Sequence, residues 1–494
     1  MEDYSSAKLK ACVQDGGGVV SLNLSGKGLS RVPDAVTELT EVEELQLDDN
    51  NLTELPTSIN KLKNLISLQL NDNKFTELPS EIGDLKELLS LDVSYNQLIS
   101  LPSSLQRLNQ LEELYLSDNK LTELPSEIGD LKKLRRLDVS NNRLVSLPTS
   151  IQKLNQLEWL HLHGNKLTEL PSEIGDLKKQ KRLYVSYNQL VSLPTSIQKL
   201  NQLKELYLMN NKLTELPSEI GDLKELTSLD VRINQLVGLP TSIQKLNQLK
   251  ELNLSNNKLT ELPSEIGDLK ELKGLDVSNN QLVSLPTSIQ KLNQLEWLNL
   301  HGNKLTELPS EIGDLKKLRI LDVNNQLVSL PSSIQKLNQL KEPNLSNNKL
   351  TELPSEIGDL KELTSLDVSI NQLVGLPTSI QKLNQLGWLG LSGNKLTELP
   401  SEIGDLKELK GLDVSHNQLV SLPSSIQKLN QLVTLDLSHN KLTKLPSEIG
   451  DFKQLRTLDV ICNPLSMDAI HVLEMKKKGR TSWVITGGCG DNFQ

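Results

Sequence analysis

Of the 21 prolines in this chain, nineteen follow a Leu or Val, from Pro33 to Pro446, at steps of 23 residues, with one step of 22 between Pro309 and Pro331. Asparagine keeps the same time six positions ahead of each, from Asn50, Asn73 and Asn96 to Asn440, with Lys27 in its place in the first copy and Asn463 closing the series. A register held over twenty units constrains the fold more than length does. Although 494 residues would suffice for several ordinary domains, a fixed period of this size predicts stacked supersecondary units.

Each unit has a physical reading. In L-x-x-L-x-L the last two leucines alternate with polar residues, the period of a short half-buried strand. The Asn that follows turns the chain, and its amide can bond backbone groups exposed by the turn. The Leu-Pro pair forbids continued helix or central strand and sends the chain outward. Then I-x-x-L-x-x-L, as in Ile128, Leu131 and Leu134, buries one side of a short helical or 3₁₀ segment. One unit cannot bury its own leucines, but stacked units share a core. Aromatics are 3% of the chain, so that core must be built from Leu, Ile and Val.

The whole pattern, LxxLxLxxNxLxxLPxxIxxLxxL over about residues 19–464, resembles the leucine-rich repeat of the 23-residue intracellular kind. That kind is found in Ras-pathway scaffolds of the Shoc type, plant intracellular Ras-group-related proteins and the repeat regions of Erbin and Scribble relatives. The resemblance implies an α/β solenoid, a curved horseshoe of about 20 repeats with a parallel sheet inside and short helical or 3₁₀ segments outside. It implies a protein partner, such as a small GTPase or phosphatase, held on the concave face. Residues 1–18 are then expected to cap one end, with a helix over Ala7–Gln14, and 465–494 to supply a capping helix and tail. In that tail Ile470, Leu473 and Val472 or Met475 face inward, and TSWVIT adds a last strand on which Trp483 packs.

A longer period overlies the first. Units alternate between NKLTELPSEIGDLKxLxxLDVS and NQLVSLPTSIQKLNQLxxLxLS, so the duplicated block is about 46 residues. Departures from this text are concentrated. Tyr95 and Tyr115, Arg136, Trp159 with His161 and His163, Arg182 with Tyr184 and Tyr187, Tyr207 with Met209, and Arg232 are assigned to outward strand positions. Five of the six tyrosines fall there, and Trp, Tyr and Arg are the residues richest in interface hot spots. The unit around Tyr184 also replaces a core Leu with Gln180 and the usual Asp with Tyr184 itself. These residues form the expected partner-binding patch, with Trp297 and Trp388 as secondary positions. Those two tryptophans share the column of Trp159, so inheritance of duplicated text is the competing reading. An acidic stripe (Asp92, Asp138, Asp230 and onward to Asp459) could steer a basic partner, or could simply be inherited, solvated text.

Other chemistry finds little support. His161 and His163 lack a third ligand at fixed spacing, so no metal site is expected. Glycine runs at Gly16–Gly18 and Gly487–Gly490 lack the context of a phosphate loop. No catalytic constellation is readable, and no cofactor or enzymatic activity is expected. A net charge of −10 argues against nucleic acid, and no segment is long enough to enter a membrane. Cys12, Cys462 and Cys489 lack framework spacing and are expected as free thiols in the cytoplasm, with no secretory signal in the first residues. The expected function is a non-catalytic scaffold in intracellular signalling. The alternatives are a secreted or surface recognition ectodomain, or the substrate-recognition region of an enzyme lacking its catalytic domain. Finally, the 22-residue step and Pro343, in KEPNLSNN, predict a break in the sheet near residues 322–345.

Overall fold

A computed structural model describes residues 13–15, 20–446, 449, 452–476 and 482–484. Every repeat carries a strand of three or four residues, twenty of them from Val20–Asn23 to Thr457–Asp459. Within each of two compact units, Met1–Leu249 and Lys250–Gln494, neighbouring strands pair in parallel and in register. Leu114 thus sits beside Leu91 and Leu137, and Leu275 beside Leu252 and Leu298. The middle residue of each repeat strand, Leu in all but the strand of Pro343, points into the core and its neighbours point out, which gives the intermediate–buried–intermediate pattern of Arg136–Asp138 or Arg182–Tyr184.

The asparagines hold the stack together. Asn119, 7% exposed, donates through Nδ2 to the carbonyls of Val93, Leu116 and Ser117 at 2.9–3.1 Å, and its Oδ1 accepts from the Leu98 N–H at 2.9 Å. One side chain therefore satisfies backbone groups in its own unit and the one before. The residue ahead of such an Asn adopts a left-handed backbone, as at Asp118, Asn141 and Gly164. Asn tolerates that region and Gly is free in it, but Ile233 and Ile370 also occupy it, at φ 55° and 53°, a strained conformation for a β-branched side chain.

After the turn, Pro125 leads with φ −65° and ψ 152° into the 3₁₀ segment Ser126–Asp130. The i to i+3 bonds run Ile128 N–H to Pro125 O, Leu131 to Ile128 and Leu134 to Leu131, at 3.0–3.2 Å. A hydrophobic spacing of three matches a helix of three residues per turn, and all three side chains are fully buried.

The anticipated break is present but displaced by one strand. Glu342–Asn344 pairs fully with Ile320–Asp322, yet meets Ser365–Asp367 only at Asn344 and Asp367. In a parallel ladder each residue alternates the side to which it donates. The Leu345 N–H goes to Asp367 O, at 2.8 Å, so the donor that Pro343 lacks belongs to the following strand and not the preceding one. The 22-residue step omits the left-handed residue: no positive φ occurs at Asn324, and Asn325 Oδ1 is left buried without a hydrogen-bond partner.

The ends differ in part from expectation. Val13–Asp15 is a strand antiparallel to Val20–Asn23, so residues 13 and 14 are not helical, and the rest of the expected Ala7–Gln14 helix lies outside the described residues. A helix spans Met467–Lys476 with Leu473 buried and Ile470 half-buried. Ser482–Val484 adds a parallel strand beside Thr457–Asp459; the packing of Trp483 lies outside the described side chains, as do those of Val472 and Met475. Cys462 is disulfide-bonded, against the expectation of free thiols. Its bonding partner lies outside the described residues.

Candidate recognition face of the sheet

Three columns of side chains stand on the open face of the sheet, at six, four and two positions before each ladder Asn. In the first column Trp159 lies between two guanidinium groups, Arg136 at 4.4 Å and Arg182 at 4.5 Å from the ring centroid. Adjacent in-register strands bring these three together, and cation–π attraction suits a cation over indole. The outer members are anchored by carboxylates, Arg136 to Glu113 at 3.4 Å and Arg182 to Glu205 at 3.1 Å. Glu158, behind Trp159, holds Lys181 at 2.6 Å and Arg135 at 2.9 Å. The Lys181 hydrogen bond, with help from Arg135, holds its carboxyl below the usual range.

In the second column His161 meets Tyr184 edge-on at 4.5 Å, and Tyr184 stacks on Tyr207 at 4.8 Å with planes 3° apart. Burial, and then donation to Glu205 Oε2 at 3.0 Å, pushes the Tyr184 hydroxyl up to about 12. Tyr115, two strands before Trp159, donates to Glu113 at 3.1 Å and is raised chiefly by burial. His161 Nδ1 lies 3.7 Å from Asp138 Oδ2. Burial opposes ionisation of Asp138, but bonds from His161 and Ser140 outweigh it and hold the carboxyl below its ordinary value. Shallow depressions flank Trp159, one lined by Glu113, Arg136 and Glu158, the other by Tyr115, Asp138 and His161.

The structure thus assembles Tyr115, Arg136, Trp159, His161, Arg182, Tyr184 and Tyr207 into one continuous surface. Other expected members stand apart. Tyr95 and Tyr187 are not on the strands: each is the left-handed residue of its turn, φ 52° and 55°, because they stand one and not two positions before the Asn. Tyr187 still touches the His163 ring at 4.9 Å, making a rim pair, whereas Tyr95 is exposed in its turn. Arg232 folds back on Asp230 at 3.1 Å, and Met209 is half-buried at the turn after Tyr207. In the second unit, the Trp297 ring occupies the space a Cβ on Gly274 would need, and Trp388 does the same at Gly411.

Sequence reasoning missed what the aspartates do. Asp92, Asp138, Asp276 and Asp413 each accept the backbone N–H of the Ser two residues on, at 2.9 Å, closing the strand end. The signal was present in the D-V-S spacing, which is that of an Asx turn. Of His161, Tyr184 and Tyr207, on three successive strands, Tyr184 stands where its repeat type otherwise carries such a carboxylate. Among the described residues, no group of three His, Cys, Asp or Glu side chains is placed to hold a metal ion, and no helix is long and apolar enough to cross a membrane.

Models of the leucine rich repeat match residues 40–98, 63–121, 109–167, 155–213, 178–236 and 339–396, and a leucine-rich repeat region model matches 241–304 and 380–478. No curated protein matches the chain. Among solved structures, it is similar to an LRR protein of Leptospira interrogans, 34% identical over 92% of this chain and 93% of that one, with a TM-score of 0.57. It is also similar to YopM from Yersinia enterocolitica, 30% identical over 93% and 90%, TM-score 0.71. A third is the ectodomain of the Arabidopsis receptor kinase HAESA in complex with an extended IDA peptide hormone, 30% identical over 92% and 80%, TM-score 0.67. With one repeat model covering more than half its length in the register of its own strands, the chain belongs to the leucine-rich repeat family.

Proposed function

We propose that the chain is a non-catalytic recognition protein that takes a protein partner on the open sheet face, with Trp159, Tyr184 and Tyr207 at the centre. The observation that carries this reading is the paired run of Arg136, Trp159 and Arg182 beside His161, Tyr184 and Tyr207 on consecutive strands. Preordered aromatic and arginine side chains lose little freedom on binding, and they are the types whose truncation costs most. Tyr184 replaces the backbone-capping carboxylate that its repeat type otherwise carries, which supports a gain outside the fold. Inherited text accounts less well for this run, since Trp297 and Trp388 lie against glycines while Trp159 is held between cations.

The role is that of a scaffold in cytoplasmic signalling, as in the intracellular repeat proteins the chain resembles, with a small GTPase or a phosphatase as the kind of partner. The test is binding of a captured partner to wild type and to a Trp159→Ala, Tyr184→Ala, Tyr207→Ala variant matched in circular dichroism and melting. A Kd raised by about 30-fold or more is expected, equivalent to roughly 2 kcal/mol; unchanged affinity sinks the site.

One observation favours a second reading, a surface or secreted recognition protein: Cys462 is disulfide-bonded, and such bonds persist in oxidising compartments. The HAESA ectodomain that the chain resembles was solved with a peptide hormone. Thiol titration of the denatured, unreduced protein separates the two. One reactive thiol among the three cysteines favours the oxidising compartment, and three favour the cytoplasm.

A further inference from the structure

The largest set of exposed apolar side chains lies away from the sheet face. Three positions after the ladder Asn, alternate repeats carry Ile99, Val145, Val191 and Val237 in the first unit, and the second repeats the pattern from Val283 to Val420. These side chains are between 52% and 63% exposed. Among the described residues, whose other Val, Ile and Leu side chains are overwhelmingly core, this column alone supplies half of the large exposed hydrophobics. Thr76, Thr122, Thr168 and Thr214 fill the intervening repeats and are exposed as well. At about 4.8 Å per strand, Val recurs roughly every 10 Å.

Charge frames this stripe asymmetrically. From Thr76 to Thr397 each Thr repeat carries Lys two residues before the Thr and Glu one residue after it, as in Lys120 and Glu123 or Lys212 and Glu215. The Val repeats carry neutral residues at those places, such as Gln97 and Ser100 or Gln189 and Ser192, except that Arg143 stands two residues before Val145 and adds a cation to the lysine border. Lys120 and Lys212 reach back to Gln97 and Gln189, at 2.9 and 3.1 Å, while ion pairs such as Arg107 with Asp84 and Lys153 with Asp130 lie on the 3₁₀ side. The flank is thus an apolar line with a lysine ladder along one border and a glutamate ladder along the other.

We infer that this flank is a contact surface between two copies of the chain, packed side by side with their repeat axes parallel. Two features select that occupant. An apolar spacing of roughly 10 Å sustained over repeats is matched by a surface of the same period, and a second copy has it. A twofold axis running along the stripe sets Val opposite Val and exchanges the borders, so the lysines of each copy face the glutamates of the other. A twofold axis across the stripe would instead set lysine against lysine, or against neutral glutamine, and like charges disfavour it. This surface is separate from the recognition face and does not depend on its assignment.

The test is sedimentation of the full chain over a range of micromolar concentrations. A concentration-dependent dimer is expected, and Val145→Asp with Val191→Asp, at exposed positions and with an unchanged melting profile, is expected to weaken it at least tenfold. Charge reversal adds orientation. Lys120→Glu, Lys166→Glu, Lys212→Glu in one preparation and Glu123→Lys, Glu169→Lys, Glu215→Lys in another should each be monomeric, and mixing them should restore the dimer. A wild-type chain monomeric throughout overturns the proposal, as does a dimer indifferent to the Val substitutions. Charge-reversed chains that fail to pair when mixed overturn the parallel arrangement.

Discussion

Gln180 shows how much a single residue can cost in a repeat stack. It takes the place of a core Leu, is 1% exposed, donates to the Arg182 carbonyl and leaves its Oε1 buried without a partner. An unmet buried acceptor costs about 1–3 kcal/mol. Gln180→Leu should therefore raise stability by roughly that amount in chemical denaturation. Because Gln180 holds the strand that carries Arg182 and Tyr184, the same variant separates two roles. If affinity for the partner falls while stability rises, the glutamine positions the patch; if affinity is unchanged, it is a defect the stack tolerates. The ladder asparagines and the Leu-Pro pairs were legible residue by residue because each local chemistry admits few alternatives. Tyr95 and Tyr187 were misplaced because a one-residue offset moves a side chain from a strand face into a left-handed turn.

At the scale of the element, the two alternating texts are complementary parts. A Cβ at Gly129 would collide with the Ser150 carbonyl of the next 3₁₀ segment, and Gly83, Gly175 and Gly221 stand in the same relation to their neighbours. The serine hydroxyls at those contacts, Ser104, Ser150 and Ser196 among them, lie buried without hydrogen-bond partners. Gly129→Ala should accordingly destabilise by about 1–3 kcal/mol through overpacking against backbone. Ser150→Ala should be neutral or stabilising by up to about 1 kcal/mol. Equal losses from the two in parallel denaturation curves would show that the tight approach is not what joins the pair. Pro343 is the other element-level departure. Restoring a donor with Pro343→Leu should slow amide exchange across 342–344 and 365–367 and add about 0.5–1.5 kcal/mol; unaltered exchange there would mean the strand pairing is thin for another reason. That proline would weaken the sheet could be read from its type, but which neighbour loses the bond depends on the ladder's alternation.

Over the whole molecule, near-verbatim copies make the chain modular. In such stacks each unit contacts its neighbours, so stability is close to a sum of local terms. Removing residues 120–165 joins Asn119 to Lys166, and removing 258–303 joins Asn257 to Lys304; each cut takes out one 46-residue pair and restores the repeat text at the junction. Both shortened chains should fold with melting temperatures within a few degrees of the parent. Only the first, which loses Arg136, Trp159, His161 and His163, should lose the partner. A second deletion that abolishes binding equally would move the site out of the first unit.

The sequence by itself determined the period, the strand and turn of each repeat, and the all-aliphatic core, because a 23-residue frame of leucine, asparagine and proline meets its local hydrogen-bonding and burial demands in only one way. It also marked out the residues of the candidate patch, since they interrupt text that is otherwise repeated. Only the tertiary structure decided which of them meet. In-register strands set Trp159 between Arg136 and Arg182 and stack Tyr184 on Tyr207, contacts between residues 23 positions apart that no local propensity encodes. The disulfide at Cys462 was likewise hidden, because a pairing depends on which backbones the finished stack brings within bonding distance.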